Sequence, residues 1–428
     1  MTVVDATAPL PVAADSPASA PIVRFRGNVE AYWRLLIRGA VLLMVTLGIY
    51  RFWLATDIRR FLWANTEIAG ESLEYTGTAR ELLIGFLIAL AILVPIYSLF
   101  FIAALSLGLI GQLSSVLGFV VLAFLGHVAV YRARRYRLTR TIYRGVRFHQ
   151  SGAAWRYAVR ALSWWVLIAL TLGLAYPFAQ ASLERFKMQY TYYGNLRGRF
   201  EGSGTNLFLR GLTMWLLVMG PLIAAIVMAI GAIDPTAIAD AARTGGRDVF
   251  NRIEATNPAF YAAVTMAIGA VVWGVIAATV LYPAFQALMI RWWASGLRFG
   301  EVRITSHLRT KQLYGAYLRF LLYSFVFGLI GAILAGMAIG SFTAIFQAIG
   351  KSQLTEFIGV GLGLVGYVVF MLGYSTIYQA TVKLAIWRLG MESLDLEGFA
   401  ALDWVKAVGE PSSAVGEGLA DALNVGGF

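Results

Sequence analysis

Long apolar runs separated by short polar connectors organise this chain of 428 residues. The runs lie at about 35–55, 82–104, 108–131, 158–181, 207–231, 259–290, 313–346 and 354–388. A helix needs about 20 apolar residues to cross a bilayer, and most of these runs reach that length. Such runs must be helical, because hydrocarbon offers no hydrogen-bond partner to an open backbone. The pattern therefore predicts an all-α polytopic membrane protein built as a helical bundle.

Three connectors between the runs are rich in arginine. They cover residues 131–160, 183–206 and 291–311. The positive-inside rule predicts that all three face the cytoplasm. The run at 158–181 then has two cytoplasmic ends and does not cross once, and the same holds for the run at 35–55. We therefore predict six full transmembrane helices plus two re-entrant or interfacial segments, with both termini cytoplasmic; the alternative is eight transmembrane helices.

The two odd segments share a tripeptide, at Thr46-Leu47-Gly48 and at Thr171-Leu172-Gly173. An aromatic residue followed closely by glycine also recurs ahead of the next helix. The copies are Phe25-Arg26-Gly27, Tyr75-Thr76-Gly77, Phe148 to Gly152, Phe200-Glu201-Gly202 and Phe299-Gly300. These recurrences predict internal repeats, with units at about 25–148 and 148–299 and a final hairpin at 300–390. If the two odd segments cross the membrane, the two repeat units have opposite orientations in it, as in many transporters. If the odd segments turn back, the two repeat units have the same orientation.

Composition supports the membrane class and divides the chain. The residues are 59% hydrophobic and 14% charged, against roughly a quarter charged in a soluble domain. The net charge of +12 lies in the connectors, so we predict contact with the lipid bilayer and its anionic headgroups at the Arg-rich connectors, and no nucleic acid. We predict a disordered tail at 1–21, a membrane domain at 22–390 and an acidic cytoplasmic tail at 391–428. The acidic tail is expected to be loosely ordered and solvated, with docking onto the arginines as the alternative.

Candidate binding residues come from a recurring tyrosine and glutamine pattern near the ends of three apolar runs. The members are Tyr176, Pro177 and Gln180, then Tyr282, Pro283 and Gln286, then Tyr374 and Gln379. A glutamine in an apolar helix needs a partner, and proline frees backbone carbonyls. These clusters surround a polar path or a headgroup site on one interpretation and serve helix packing on the other. Arg38 and His127 join the candidates because ionisable residues inside apolar runs are often functional.

The sequence carries no recognisable catalytic motif. It has three histidines at spacings that do not suit a metal, and no cysteine. We therefore predict no catalytic residues, no metal and no cofactor, and a protein that is not an enzyme.

Several motifs also resemble a known family. They are Thr46-Leu47-Gly48-Ile49-Tyr50, Trp53, Arg59-Arg60, Asn65-Thr66, Gly70, the second copy at Thr171 to Pro177, and the ending Gly418-Leu419-Ala420-Asp421-Ala422-Leu423. The chain from residue 22 onward resembles the YjgN-like bacterial inner-membrane family, a domain of unknown function. The resemblance implies residence in the bacterial cytoplasmic (inner) membrane and no particular activity. Arg38 or Gly39 stands where that family usually has asparagine, so no functional residue is carried over.

Two functions follow from these patterns. The first is a transporter or lipid-handling permease for a small or amphipathic solute, indicated by the repeats, the odd segments and the tyrosine and glutamine clusters. The alternative is a non-catalytic membrane scaffold or envelope-homeostasis factor that acts through its Arg-rich cytoplasmic face and acidic tail. Protein partners, and the formation of a homo-oligomer, are left open.

Overall fold

The computed structural model describes residues 22–105, 108–232, 257–349, 353–408 and 412–425, together with isolated residues between 234 and 255. The tail predicted at 1–21 lies outside the described residues, as does most of the linker before residue 257. Helices and short strands alternate through the described part of the chain.

The helices follow the apolar runs of the sequence. They are α1 (Val29–Val45), α2 (Arg51–Ala64), α3 (Ala79–Ala104), α4 (Leu109–Thr139), α5 (Ala154–Leu170), α6 (Tyr176–Met188), α7 (Gly204–Gly231), α8 (Pro258–Gly296), α9 (Thr310–Ile349), α10 (Gln353–Tyr378), α11 (Leu384–Glu392) and α12 (Val415–Ala422). A π-helical turn, Gln379–Lys383, joins α10 to α11, and a 3₁₀ helix covers Phe399–Trp404. Six of the described helices are long and apolar enough to cross a membrane: α3, α4, α7, α8, α9 and the continuous α10–α11 unit.

Both odd segments break into two helices at the shared tripeptide. Leu47 and Gly48 lie at φ 50° and 90°, and Leu172 and Gly173 at φ 50° and 93°. These left-handed residues reverse the chain, so each segment is a short helical hairpin that turns back. α1 has 17 residues and is about 26 Å long, too short to carry its charged first turns and still reach the far side. The prediction of an all-α polytopic protein with six spanning helices is confirmed, and each odd segment forms a short hairpin whose re-entry into the membrane stays a prediction.

Eleven short strands occupy the connectors of the described chain. They are β1 (Val23–Phe25), β2 (Thr66–Ile68), β3 (Glu71–Ser72), β4 (Glu74–Tyr75), β5 (Thr141–Tyr143), β6 (Val146–Gln150), β7 (Thr191–Tyr193), β8 (Leu196–Phe200), β9 (Leu297–Phe299), β10 (Val302–Ser306) and β11 (Leu394–Glu397). β1 to β3 form one sheet, and β4 to β11 form an antiparallel meander in sequence order. These strands could not be predicted from the sequence, because runs of two to five residues are too short to show an alternating pattern.

Each helical hairpin begins and ends on two strands that pair with each other. β1 pairs with β2 around α1–α2, β4 with β5 around α3–α4, and β6 with β7 around α5–α6. β8 pairs with β9 around α7–α8, and β10 with β11 around α9–α11. Neighbouring hairpins pack side by side. α1 packs against α10, so the last hairpin also contacts the first. The described chain is therefore a ring of helical hairpins that all begin and end at the strands; the repeat boundaries proposed from the sequence stay predictions.

The described parts of the acidic tail, residues 391–408 and 412–425, are ordered and docked, so the expectation of a loosely ordered, solvated tail was wrong for them. β11 extends the main sheet, and Phe399 and Leu402 of the 3₁₀ helix pack on the buried Leu73, Tyr143 and Tyr193 inside it. α12 then packs between α3 and α4. The physical reason is that the acidic side chains of the tail reach arginine partners, which composition alone does not reveal.

Candidate functional site

The first two tyrosine and glutamine clusters meet at helix contacts. Tyr176 begins α6, and its ring centroid lies 6.0 Å from that of Phe285 on α8. Tyr282 of α8 lies edge-on to Tyr317 of α9, with centroids 6.0 Å apart. The Tyr317 hydroxyl donates to Gln286 Oε1 at 2.9 Å. Gln286 therefore has the interhelical partner that a glutamine in an apolar helix requires.

Other candidate residues of the three clusters lie on three different helices, α6, α8 and α10. Pro177 and Tyr176 line a small apolar cavity of about 80 Å³, while Pro283 is buried within α8. Tyr374 packs its ring on Phe320, with centroids 5.2 Å apart. Gln180 is half-buried on α6. These residues do not surround one common cavity, and their role in binding stays a prediction.

Gln379 differs from the other candidates. It opens the π-helical turn, a geometry that often marks functional sites. Its Oε1 atom is buried and has no hydrogen-bond partner among the described residues. The same side chain lines a charged cavity, described below, which gives this oxygen a place to accept a bond.

The two ionisable candidates make contacts between helices. Arg38 Nη2 on α1 lies 3.4 Å from Asp57 Oδ2 on α2, so the pair bridges the first short hairpin. The ring of His127 lies 6.5 Å from that of Tyr157 and 6.0 Å from that of Trp165. Among the described residues, no group of three or more histidine, aspartate or glutamate side chains is placed to hold a metal ion.

A cavity of about 290 Å³ lies between α2, α3, α12 and the π-helical turn; we call it the charged cavity. Four of its lining side chains carry charge: Arg51, Arg59, Glu417 and Asp421. Most of the remaining wall is apolar and includes Phe52, Leu54, Ala55, Ile58, Leu82 and Val425. The cavity therefore combines buried charge with an apolar wall.

Arg59 and Glu417 form a buried ion pair at the cavity wall. Both side chains are 8% exposed, and Arg59 Nη2 donates to Glu417 Oε1. Arg59 Nη1 also donates to the Tyr75 hydroxyl at 3.1 Å, and Arg137 Nε lies 3.9 Å from Glu417 Oε2. Burial lowers the pKa of the Arg59 guanidinium, but the Glu417 carboxylate and the Tyr75 hydroxyl more than offset this and hold that pKa above its ordinary value. Arg59 is therefore a permanent cation.

Arg51 and Asp421 form a second, half-exposed pair nearer the tip of the hairpin. Arg51 Nη2 lies 2.5 Å from Asp421 Oδ2. The guanidinium also stacks over the rings of Phe86 and Phe52, at 4.3 and 4.8 Å from their centroids. Burial raises the pKa of the Asp421 carboxyl above its ordinary value, although Arg51 opposes the shift. Both pairs thus join the first short hairpin to the C-terminal helix.

Sequence reasoning missed this site. Arg59 and the segment from Gly418 to Leu423 stood out in the family resemblance, and the tail was recognised as acidic. Nothing in the sequence joins them, because Arg59 and Glu417 are 358 residues apart.

The arginines of the connectors also hold the fold together. Arg60, Arg135, Arg185 and Arg291 lie near the ends of α2, α4, α6 and α8. Each donates to the backbone carbonyl 17 residues further on, namely that of Gly77, Gly152, Gly202 and Leu308. The bond links the end of one hairpin to the start of the next, so part of the positive charge in the connectors serves structure.

Six helices long and apolar enough to span a membrane, together with two short helical hairpins, define a multi-pass helical membrane protein. The chain belongs to the family described as Bacterial protein of unknown function (DUF898), whose model matches residues 20–422. The predicted resemblance is thereby confirmed.

Two curated relatives match part of the chain. It is 26% identical over 151 residues to Inner membrane protein YjgN of Escherichia coli O157:H7, and 25% identical over 151 residues to Inner membrane protein YjgN of Escherichia coli strain K12. Each match covers 35% of this chain and 35% of the relative, so the chain spans about a third of the length of these curated relatives. No solved structure matches the chain.

Proposed function

We propose that this protein is a lipid-handling permease of the bacterial inner membrane, with the charged cavity as the binding site for an amphipathic solute. The observation that carries this proposal is the composition of the cavity, in which Arg51 and Arg59 lie beside an apolar wall. A solute with a charged end and an apolar body matches both parts. The names of the relatives, which include "inner membrane", support the location.

A neighbouring apolar cavity supports the amphipathic nature of the solute. It measures about 290 Å³, lies between α1 and α10, and is lined by residues that include Trp33, Met44 and Ile377. Ile377 is two residues from Gln379, which lines the charged cavity. The segment at the end of α10 thus borders a charged site on one side and a site suited to an acyl chain on the other.

The re-entrant hairpins support transport over a static role. Their tips are apolar, with Leu47 93% exposed, so they are compatible with hydrocarbon. Broken or partly inserted helices in a repeated architecture recur in transporters, where they form the substrate site. By the positive-inside rule, we place the strands and both termini on the cytoplasmic side.

The proposal is tested by filling the charged cavity. Ala55 lines it and is half-buried, so Ala55→Trp should block the cavity and reduce transfer of a fluorescent phospholipid between leaflets of proteoliposomes at least tenfold. Leu87→Trp is the matched control, because Leu87 is 54% exposed on α3 and outside the cavity. Equal transfer by both folded variants would contradict the cavity assignment, and no transfer by the unaltered protein would contradict the permease.

A second candidate is the membrane scaffold that acts through its Arg-rich face. Arg197, Arg199 and Arg303 are exposed on β8 and β10 and suit anionic headgroups or an acidic partner. The acidic tail is less suited to a partner, since Asp403, Glu417 and Asp421 pair with arginines of this chain. Arg199→Glu combined with Arg303→Glu should abolish partner retention if the scaffold is correct and leave lipid transfer unchanged if the permease is correct.

A further inference from the structure

We infer that the charged cavity takes the phosphate of an anionic phospholipid, and that Glu417 and Asp421 of α12 occupy the position of that phosphate in this structure. The inference rests on the proposed function and deepens it, because it names the class of solute and the element that competes with it. It starts from how the charges are divided between the elements.

The cations and the anions of the cavity come from different elements. Arg51 and Arg59 belong to α2, which the strands and α3 hold in place. Glu417 and Asp421 belong to α12 and are four residues apart, so they lie on the same face of that helix. One short element therefore supplies both carboxylates to the two arginines.

The attachment of α12 depends on glycine and on these ion pairs. A Cβ atom built on Gly418 would lie 1.9 Å from the Gly85 carbonyl carbon, and one on Gly416 would lie 2.1 Å from Arg132 Cβ. Among the buried residues of α12, Leu419 is the large apolar one. Leu419 and Ala420 also pack against α3 and α4, so close backbone contacts, an apolar contact and two ion pairs together hold α12 in place. For lipid to bind at the arginines, α12 must leave this position.

Departure of α12 would remove both carboxylates from a site that keeps its arginines. Arg137, 3.9 Å from Glu417, adds a third cation behind the pair. Buried guanidinium groups that lose their counter-ion are strongly unfavourable, so another anion must take the place of the carboxylates. Arginine binds phosphate through paired N–H donors, which makes a phosphate the natural replacement.

The surroundings of the arginines favour a phospholipid over a free phosphate. The cavity wall beside them is apolar at Phe52, Leu54 and Ile58, which suits the glycerol and acyl region. Gln379 Oε1, buried and without a partner among the described residues, can accept a bond from a headgroup hydroxyl. Phosphatidylglycerol has both the negative phosphate and the hydroxyl groups.

The experiment measures lipid binding to the purified full-length protein after α12 is displaced. Gly418→Leu fills the contact with Gly85 and keeps every charge, so it should tighten binding of fluorescent phosphatidylglycerol about tenfold. Glu417→Gln combined with Asp421→Asn removes the competing carboxylates without adding volume and should act in the same direction. Gly336→Leu is the matched control, because a Cβ at Gly336 meets nothing within 4 Å and should leave binding unchanged.

Three arms separate the possible ligands. Phosphatidylcholine, which carries no net charge, and inorganic phosphate should show no comparable gain. Adding Arg51→Gln and Arg59→Gln to Gly418→Leu should abolish the gain. Equal gains for phosphatidylcholine, or for inorganic phosphate, would overturn the assignment of an anionic lipid.

Failure of this inference is distinguishable from failure of the permease. If the unaltered protein transfers lipid and Ala55→Trp blocks it, but both sets of α12 variants fold and bind phosphatidylglycerol as the unaltered protein does, the competition by α12 is wrong and the permease stands. If the α12 variants gain binding while Ala55→Trp leaves transfer unchanged, the anionic site stands and the permease is wrong.

Discussion

Threonine at the tip of each re-entrant hairpin shows why the same tripeptide occurs twice. Thr46 Oγ1 donates to the Leu42 carbonyl at 2.7 Å and accepts from the Tyr50 amide at 3.0 Å. Thr171 repeats both bonds, to the Leu167 carbonyl at 2.7 Å and from the Ala175 amide at 3.1 Å. A break between two helices leaves backbone amides without their helical partner, and the hydroxyl supplies an acceptor to one of them while adding a second bond to a carbonyl that the threonine amide already contacts.

Removing this hydroxyl should therefore destabilise the hairpin. Thr171→Val leaves the Ala175 amide without its partner and removes one of two bonds to the Leu167 carbonyl, which keeps its bond from the Thr171 amide at 3.0 Å. The change should cost about 1–3 kcal/mol. Thr279→Val is the control, since Thr279 Oγ1 only donates within its own helix, to the Val275 carbonyl, and should cost under about 0.5 kcal/mol. Thermal unfolding in detergent measures both, and equal losses would contradict the role assigned to the tip threonine.

The aromatic and glycine motif also has a local cause. A Cβ on Gly202 would lie 2.4 Å from Phe200 Cζ, and a Cβ on Gly77 would lie 2.5 Å from the Tyr75 hydroxyl oxygen. The aromatic ring at the end of the strand thus folds over the glycine two residues later. Gly27 repeats this packing with Phe25, whereas a Cβ on Gly152 would meet Tyr131 and Tyr190 and one on Gly300 would meet Leu196. The motif therefore has a structural role in three of its five copies.

At the scale of elements, arginine connects one hairpin to the next. The bond from each of four arginines to a carbonyl 17 residues later spans the strand turn that separates two hairpins. It fixes the distance between the end of one helix and the start of another. The arginines of the connectors thus have two roles. They favour the cytoplasmic side, as the positive-inside rule describes, and they also dock one hairpin onto the next.

Loss of one such bond should weaken docking between two hairpins. Arg291 donates to the Leu308 carbonyl at 2.8 Å and to Thr310 Oγ1 at 3.2 Å, so Arg291→Met should cost about 1–3 kcal/mol. Arg319→Met is the control, because exposed Arg319 donates within its own helix to Gly315, and its loss should cost under about 0.5 kcal/mol. Denaturation in detergent measures the free energy of unfolding of both variants. An equal loss in the two would contradict the role of Arg291 in docking.

At the scale of the whole molecule, the spans and the two breaks could be predicted because hydropathy and the Thr-Leu-Gly tripeptide are local signals. The strands could not, since pairs such as Phe200 with Leu297 join residues on either side of a complete helical hairpin. The charged cavity could not for the same reason, as its arginines and carboxylates come from opposite ends of the chain. Gln379 was singled out because glutamine in an apolar run is unusual, and it lines the charged cavity. Tyr374 and Pro283 share the same sequence pattern but do not line that cavity.

The ring arrangement gives the molecule two different ends. All described hairpins begin and end at the strands, and the tail returns to the same end before α12 inserts between α3 and α4. The other end consists of helix ends and apolar hairpin tips. The proposed lipid handling depends on this polarity, because it requires the short hairpins to end inside the membrane with Arg51 and Arg59.

Side-specific labelling of single cysteines tests that polarity most directly, and the cysteine-free chain allows it without background. Ser151 and Ser203 are exposed, immediately before α5 and α7, and flank the second short hairpin. Ser151→Cys and Ser203→Cys should both react only from the cytoplasmic side. Leu109→Cys, at the first residue of α4 and exposed at the opposite end of the molecule, should react only from the other side. Labelling of Ser151→Cys and Ser203→Cys from opposite sides would show that the short hairpin crosses the membrane and would contradict the re-entrant architecture.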